Sequence, residues 1–513
     1  MNHPGDWARG YPVSEPYPAS WHYFQSPAHL RVVCAVMGVA WEVDADTPLS
    51  IAEVGCGTGY TAGMLAAGNP MAQVVGLDYN PAHIAEARSM AAAAGLQNLR
   101  FIEADLAELG DAELAQLPEF DLVTVHGLWS WVDDAVREGV LRLLRRRLKP
   151  GGVVMMGYNA LPGAAGALGL ARLARGAITA AGGSADGIAG VTKLVERLIA
   201  AEAAHLPPTG WRRLFTGDAS NARPGYLLHE FLTEHWRPAF FADVAATMAT
   251  ARCEYVGSAT LDENFPQMTL TAAQRELWDE APDEAARELL KDLCVQRAFR
   301  RDVFVRGLRR VPRDAAVDKL WVASTSHGQG EVSLVAQAGV AKLPQPLIHA
   351  VRRALQDGPR TIATLRALPD TGSVTPSELI AILIGSDIAV QMWRHPGTGS
   401  DWEQAVAAAC RFNAVMADRL APFGTGASQL GLATPALGGG MAASALELAI
   451  ARRVVDMRLL VGDGMTEPTA ADLVKRLLPV GLESNGQIAE EMEQKVKALL
   501  RERLPVWQAF GIV

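Results

Sequence analysis

Ile51-Ala-Glu-Val-Gly-Cys-Gly-Thr-Gly-Tyr60 is the stretch whose reading decides the fold. It reads as a strand that ends in a glycine loop and then opens a helix. Glu53 stands at the strand end, and Gly55, Gly57 and Gly59 follow at every second position. Without Cβ atoms the backbone can turn tightly and a ligand can approach the main chain. Free N–H groups at the start of the next helix then face a polar or anionic group. The sixth position is Tyr60, where the dinucleotide fingerprint wants Gly or Ala. A loop of this kind alone also suits a strand–helix turn that binds nothing.

The sequence on either side narrows the choice. Gln73-Val-Val-Gly-Leu77 reads as a second apolar strand, closed by Asp78. That places a carboxylate one strand–helix–strand step after the loop, where a ribose diol would lie. Asn80 and Pro81 are an N-cap and first-turn pair, and Gly95 is a helix stop. Leu99-Arg-Phe-Ile-Glu103 is a third strand with Asp105 just past it. Phe120-Asp-Leu-Val-Thr-Val-His126 is a fourth. Lys149-Pro-Gly-Gly152 breaks the chain before a fifth, Val153-Val-Met-Met156. Alternating strands and helices predict an α/β fold with a doubly wound, mostly parallel sheet and ligands at the carboxyl ends of its strands.

Taken together, Glu53-Val-Gly-Cys-Gly-Thr-Gly59, Asp78, Ala104-Asp105, Phe120-Asp121 and Lys149-Pro-Gly-Gly152 resemble a class I S-adenosylmethionine-dependent methyltransferase with a Rossmann-like core. Further motifs are Phe24-Gln-Ser-Pro-Ala-His29, Asn80-Pro-Ala-His-Ile84, His126-Gly-Leu-Trp-Ser-Trp-Val132, Tyr158-Asn-Ala-Leu-Pro-Gly163 and Phe299-Arg-Arg-Asp-Val-Phe-Val-Arg-Gly307. These resemble bacterial methyltransferases with a methyltransferase regulatory domain, a group that includes rickettsial enzymes methylating lysines of outer-membrane proteins. The resemblance implies S-adenosylmethionine (AdoMet) as cofactor and S-adenosylhomocysteine (AdoHcy) as product. It implies cofactor contacts from Glu53, Gly55, Gly57, Gly59, Asp78, Tyr79, Ala104, Asp105 and His126. It covers residues 10–320 well and the remainder loosely.

The bulk properties set bounds. A chain of 513 residues with 49% hydrophobic and 20% charged residues suits a multidomain globular protein. A net charge of −9 argues against a general nucleic-acid binder. Arg297, Arg300, Arg301, Arg306, Arg309, Arg310 and Arg313 form a local basic run, which reads as a solvated edge or a substrate patch. Five widely spaced cysteines without a C-x-x-C pair point to reduced thiols and a cytoplasmic location. The eleven histidines show no metal-ligand spacing, so no metal is expected. Neither a secretory signal nor a continuous membrane-spanning segment is legible.

Five regions are expected. Residues 1–45 form an arm and a lid helix, with Tyr17, Trp21, Tyr23 and Phe24 as either lid surface or sheet packing. Residues 46–163 form the AdoMet-binding core. Residues 164–320 form a helical insertion and regulatory region that completes the sheet; Cys253–Gly257 and Asp302–Val305 read as late antiparallel strands. Residues 321–400 form a middle domain read as winged-helix-like, and residues 401–513 a C-terminal, mainly helical domain with Gly438-Gly-Gly440 as a loop. The half from about Gly328 is expected to select or dock a macromolecular acceptor. Homodimerisation stays open.

The acceptor is read from the strand ends. Amino-methylation of bases and amides is often served by Asn/Asp-Pro-Pro-Tyr after strand four, where this chain has His126-Gly-Leu-Trp. A lysine amine needs deprotonation and an apolar channel, and aromatic faces favour its cationic product. Trp129, Trp131 and Tyr158 are candidate walls, and Tyr158 and Asn159 candidate orienting groups. The candidate catalytic set is therefore Tyr158, Asn159, Trp131 and His126, with a protein lysine as acceptor. Two alternatives stand beside it. One is a small-molecule or carboxylate O-methyltransferase with His126 as base. The other is an AdoMet-binding regulatory protein without turnover.

Overall fold

The computed structural model describes the chain apart from residues 1–9, 12–18, 181–184, 207–228, 231–232, 329, 337, 372–373, 398–399, 421–428, 462–468 and 478–485. The expectation on Tyr17 lies outside the described residues.

The glycine loop does open a helix. Strand β1 (Ser50–Val54) runs into it and α2 (Tyr60–Gly68) leaves it. Strand β2 (Gln73–Asp78), helix α3 (Pro81–Ala94), β3 (Leu99–Glu103), α4 (Asp111–Ala115), β4 (Phe120–Val125), α5 (Asp134–Arg147) and β5 (Leu148–Asn159) follow in strict alternation. Asn80 caps α3 through its side chain, and Gly95 ends that helix with φ +65. Strand β5 is longer than Val153–Met156. The Lys149–Gly152 turn is taken up inside it as a register shift against β4.

The sheet runs in the order β3-β2-β1-β4-β5 and continues past β5 with two late strands. The first five strands are parallel. Strand β7 (Phe299–Arg306) lies antiparallel beside β5, and β6 (Cys253–Ser258) lies antiparallel beside β7 as the edge. Residues between β6 and β7 are helical, Pro266–Thr269, Ala272–Asp279 and Glu284–Cys294. The late strands and the insertion between them therefore stand as expected.

Alternation along each strand sorts side chains onto two faces. Ile51, Val74, Leu122, Val153, Met155, Val303 and Val305 pack into one core with α1 (Pro27–Val36), α2 and α3. Ala52, Val54, Val75, Leu77, Val123, Val125, Val154, Met156, Tyr158 and Phe304 pack into the other, under α5 and the helix Phe241–Ala249.

The first core extends into the C-terminal half, which is more intimately attached than its sequence suggests. Every residue of α2 is buried. Its sequence, Tyr-Thr-Ala-Gly-Met-Leu-Ala-Ala-Gly, has no polar stripe because no side faces water. The outer side is covered by the helix Ser400–Leu420 and by a hairpin of β13 (Leu430–Thr434) and β14 (Gly439–Ala443). A Cβ on Gly68 would stand 2.4 Å from Gly439 N, and one on Gly63 would stand 2.6 Å from the Phe412 ring. Tyr60 Oη accepts from Gly431 N at 2.9 Å and donates to Gly431 O at 3.1 Å. Gly438 makes the turn, whereas Gly439 and Gly440 belong to β14, which corrects the expectation of a loop across all three.

Trp21 is 1% exposed, and its indole N–H donates to Gly440 O at 3.0 Å. It is packing rather than lid, while Tyr23 is exposed.

Between these parts, residues 321–400 supply β8 (Trp321–Ser324), a β9–β10 hairpin (Ser333–Ala336, Gly339–Lys342), β11 (Arg360–Thr361) and β12 (Ala389–Gln391), with helices between. Strands β11, β8 and β12 form one small sheet. Among the described residues no helix is long and apolar enough to cross a membrane.

Candidate active site

A cavity of about 1030 Å³ opens at the carboxyl ends of β1 to β5. The glycine loop makes its floor. Gly55 N and Cys56 N donate to Leu77 O at 2.8 and 3.0 Å, which pins the loop to the end of β2. Gly57 has φ +52 with open space where a Cβ would go, so the loop presents bare backbone to the cavity. Gly59 does a different job. It has φ +80, a Cβ there would stand 2.5 Å from the Phe101 ring, and it does not line the cavity. It is required for packing, a correction to the expected cofactor contact.

Asp78 ends β2 on the cavity wall. Its Oδ2 accepts from Gly57 N at 2.9 Å, and its Oδ1 accepts from Asn80 N at 2.9 Å with His83 Nδ1 at 3.4 Å. The loop and the α3 cap thus fix the carboxylate while leaving lone pairs for a diol. Tyr79 and Ala104 also line the cavity, as does Asp105, whose Oδ1 accepts from Ala107 N at 2.9 Å.

Glu53 is 6% exposed, and its Oε2 has no hydrogen-bond partner. Burial raises its pKa to about 8, against hydrogen bonds from Ala62 N–H and the Thr61 hydroxyl that pull it down. A buried carboxyl without a counter-charge is costly until a cation arrives. AdoMet carries an ammonium and a carboxylate at its amino-acid end, a diol, and an adenine edge. The orphaned Glu53 oxygen, the bare Gly57 backbone, the anchored Asp78 and the Asp105 carboxylate suit those groups.

His126 follows β4 and lines the cavity. Its Nδ1 is buried without a partner, and the ring meets His22 at 4.6 Å, Phe24 at 5.2 Å and Phe299 at 5.4 Å between centroids. Burial, with help from His22 and Arg301, holds it well below the ordinary histidine range, so it is a neutral imidazole.

Of the expected aromatic walls, Trp131 alone lines the cavity, 6.3 Å from the Phe299 ring. Trp129 packs in the second core beside the Arg137 guanidinium. Tyr158 is fully buried on the same side of the sheet as Met156 and Val154, and its hydroxyl donates to Asp302 Oδ2 at 2.5 Å. Strand alternation turns it away from the cavity and brings Asn159 to the wall. Asn159 Oδ1 already accepts from Trp236 Nε1 at 3.0 Å, and its backbone N donates to Ser130 Oγ at 2.8 Å.

The basic run divides. Arg297 and Arg300 are buried in an ion network rather than solvated. Arg300 reaches Glu288 at 2.7 Å and both Asp292 and Asp302 at 2.9 Å; Arg297 reaches Glu263 at 2.8 Å. Arg301 instead lines the cavity, with its guanidinium 4.6 Å from the Phe24 ring and 5.2 Å from Phe299.

His22, Phe299 and Glu230 are wall residues that the sequence did not single out for this role, whereas Arg301 stood in the basic run read as a solvated edge or a substrate patch. Phe299 and Arg301 stand inside a family-like motif, which is the signal that could have found them. Glu230 carries no local signal.

Residues 51–152 match the family described as "Methyltransferase domain", and residues 223–306 match "Predicted methyltransferase regulatory domain". An uncharacterised protein of Synechocystis is 26% identical over 524 residues, covering 99% of each chain. Trans-aconitate 2-methyltransferase of Deinococcus radiodurans is 36% identical over 104 residues, 20% of this chain and 35% of that one. Among solved structures, PKMT2 from Rickettsia typhi in complex with AdoHcy aligns over 95% of this chain and 99% of that one, with TM-score 0.65 and 16% identity. At that identity the likeness speaks for a common fold.

Proposed function

We propose that this AdoMet-dependent methyltransferase, built on a methyltransferase domain and a methyltransferase regulatory domain, methylates the side-chain amine of lysine in a protein acceptor. The charge of the cavity wall carries the reading. Among the described residues six carboxyl groups line it, Glu53, Asp78, Asp105, Asp133, Glu230 and Asp292, against one guanidinium, Arg301. Asp292 is neutralised by Arg297 and Arg300, and burial keeps protons on Glu53 and Glu230 until a cation arrives. Asp78, Asp105 and Asp133 then outweigh Arg301, so the wall favours a cation over a polycarboxylate. That weighs against an acceptor like trans-aconitate, whose methyltransferase matches only 20% of the chain. The lysine-methyltransferase resemblance of the motifs points the same way.

Bound AdoMet supplies a methyl group already activated on a sulfonium, so the protein's task is to bind, orient and exclude water. Glu53 faces the cofactor's ammonium and Arg301 its carboxylate. Asp78 holds the ribose and Asp105 the adenine edge. Trp131 and Phe299 stand as faces for the acceptor. They shed water from the amine and disfavour its protonated form, while a methylated ammonium product still finds a favourable ring face. Tyr158 has no part in this step.

A second reading has one observation behind it. A neutral His126 could take a proton from an acceptor hydroxyl. Transfer from methyl-labelled AdoMet to mixed protein and small-molecule fractions separates the readings. Label recovered as Nε-methyl-lysine after acid hydrolysis supports the lysine acceptor. Base-labile label means a carboxyl ester, and base-stable label on a small molecule means a hydroxyl. No incorporation anywhere would leave a binding protein without turnover.

A further inference from the structure

We infer that Glu230 is the carboxylate that receives the ammonium group of the acceptor, a role that rests on the lysine reading and supplies its recognition element. Glu230 is 7% exposed and lines the cavity. Its place is set by the residues around it. Just beyond it, Thr233 Oγ1 donates to Trp131 O at 2.7 Å, Trp236 Nε1 to Asn159 Oδ1 at 3.0 Å, and Arg237 N to Ser130 O at 2.8 Å. Those bonds stitch Thr233, Trp236 and Arg237 to the loop after β4 and to the end of β5, the acceptor side of the cavity. Just before it, His229 Nδ1 lies 3.1 Å from the Tyr11 hydroxyl, and the Tyr11 ring meets that of Tyr79 at 6.1 Å. Glu230 thus lines the same cavity as Tyr79 at the cofactor end and Trp131 at the other.

The other carboxyl groups on the wall are already engaged. Asp78 and Asp105 accept backbone N–H groups, Asp133 caps α5 through Val136 N, and Asp292 is paired with Arg297 and Arg300. Glu53 stands at the glycine loop, where the cofactor's own ammonium is expected. Glu230 remains. Burial raises its pKa to about 8, and among the described residues no charge or hydrogen bond offsets that burial. A desolvated carboxyl facing a cavity is a poor structural choice and a good cation receptor.

The proton balance follows. In the empty site Glu230 holds its proton at neutral pH. An arriving alkylammonium displaces that proton to solvent and pairs with the carboxylate. For transfer, an N–H bond of the ammonium breaks and its proton passes to Glu230 Oε. The freed lone pair forms the N–C bond as the C–S bond breaks, and the bonding pair stays on sulfur as a neutral thioether. The product leaves as a methylammonium cation and Glu230 keeps the proton it took, so the one proton released per turnover is the one displaced to solvent on binding.

The probe is n-butylammonium, the end of a lysine side chain, titrated into the full-length protein saturated with AdoHcy. Wild type should bind it with release of a proton, read by calorimetry in two buffers of different ionisation heat. Glu230→Gln should lose at least about tenfold in affinity and lose the proton release. Neutral n-butanol should not distinguish the two proteins. Should Glu230→Gln fail to fold, Glu230→Asp keeps the charge one methylene away and should retain proton release with weakened binding. Equal butylammonium affinity in wild type and Glu230→Gln overturns the inference, as does absence of binding to wild type. Failure of the lysine reading itself looks different: butylammonium binds through Glu230, yet label from AdoMet appears on something other than lysine.

Discussion

The Tyr158 hydroxyl donates to the Asp302 carboxylate at 2.5 Å, and both side chains are fully buried. The bond ties β5 to β7 in the second core, and Arg300 Nε holds the same carboxylate at 2.9 Å. Burial and the Asp302 charge keep the tyrosine proton on well above the usual range. Tyr158→Phe should therefore cost stability, about 1–3 kcal/mol for a buried carboxylate that loses a donor. Denaturant unfolding should register the loss, while AdoHcy affinity and turnover of the folded fraction stay near wild type. A variant as stable as wild type but inactive would return Tyr158 to the chemistry.

Asp78 is fixed by backbone donors from Gly57 and Asn80. Asp78→Ala removes both that bracing and two acceptors for ribose hydroxyls. At ~1.5–3 kcal/mol per charge-assisted bond, affinity for AdoMet should fall by at least about tenfold. Calorimetry on the purified variant measures it, and unchanged affinity would remove Asp78 from the cofactor site.

Glu53 makes a pH prediction with a definite sign. Its folded pKa is raised to about 8 from an ordinary 4.5. Without cofactor, the unfolded chain loses this proton near pH 4.5 while the folded chain keeps it. The group thus costs stability increasingly as pH rises from 4.5 to about 8, then no further. A bound ammonium makes the carboxylate favourable, so AdoMet binding at pH 7 should release a proton. Calorimetric heats should then depend on buffer ionisation enthalpy, and Glu53→Gln should abolish that dependence. Heats independent of buffer in wild type would mean Glu53 is already ionised or does not meet the ammonium.

Trp131 and Phe299 stand close together on the wall beside neutral His126. Trp131→Ala and Phe299→Leu should each lower kcat on a protein acceptor by about tenfold or more, ~1.4 kcal/mol in barrier terms. AdoHcy affinity should barely change. If it falls in step with activity, the two rings belong to the cofactor's pocket.

The sheet and the cofactor end were legible because their signals are local. Apolar runs end in Glu53, Asp78 and Asp105, and the glycines and caps sit between them. The acceptor end was not. Trp129, Trp131 and Tyr158 look equivalent along the chain, and only strand parity and the course of the β4 loop decide which one faces the cavity. Arg297 and Arg300 look solvated because charged residues seldom bury; their partners Glu263, Glu288, Asp292 and Asp302 lie on separate elements. Glu230 meets Trp131's neighbourhood only through tertiary structure. Strands β13 and β14 are rich in Gly and Ala, so they carry no strand signal inside a region read as mainly helical with a loop at Gly438-Gly-Gly440. Those small residues are there because α2 and Trp21 come so close.

That closeness gives the last prediction. The C-terminal half covers the outer side of α2, and α2 begins at the glycine loop. At Gly68 a Cβ would stand 2.4 Å from Gly439 N and 2.6 Å from Gly439 O, backbone atoms that cannot rotate aside. Gly68→Ala should push the β13–β14 hairpin off the helix and cost about 1–3 kcal/mol as an overpacked contact. A chain ended near residue 325 goes further. It strips the hairpin and the helix Ser400–Leu420 from Tyr60, Gly63 and Gly68, and it unpairs Trp21 from Gly440. A helix of apolar and small residues would then face water on a side that evolved to be dry. We expect the truncated chain to unfold or aggregate and to lose AdoHcy binding along with methyl transfer. Unfolding curves and AdoHcy calorimetry on that chain decide the matter. A soluble, cooperative fragment with full AdoHcy affinity would make the C-terminal half a separable docking module; loss of both fold and affinity makes it part of the wall that holds the glycine loop in place.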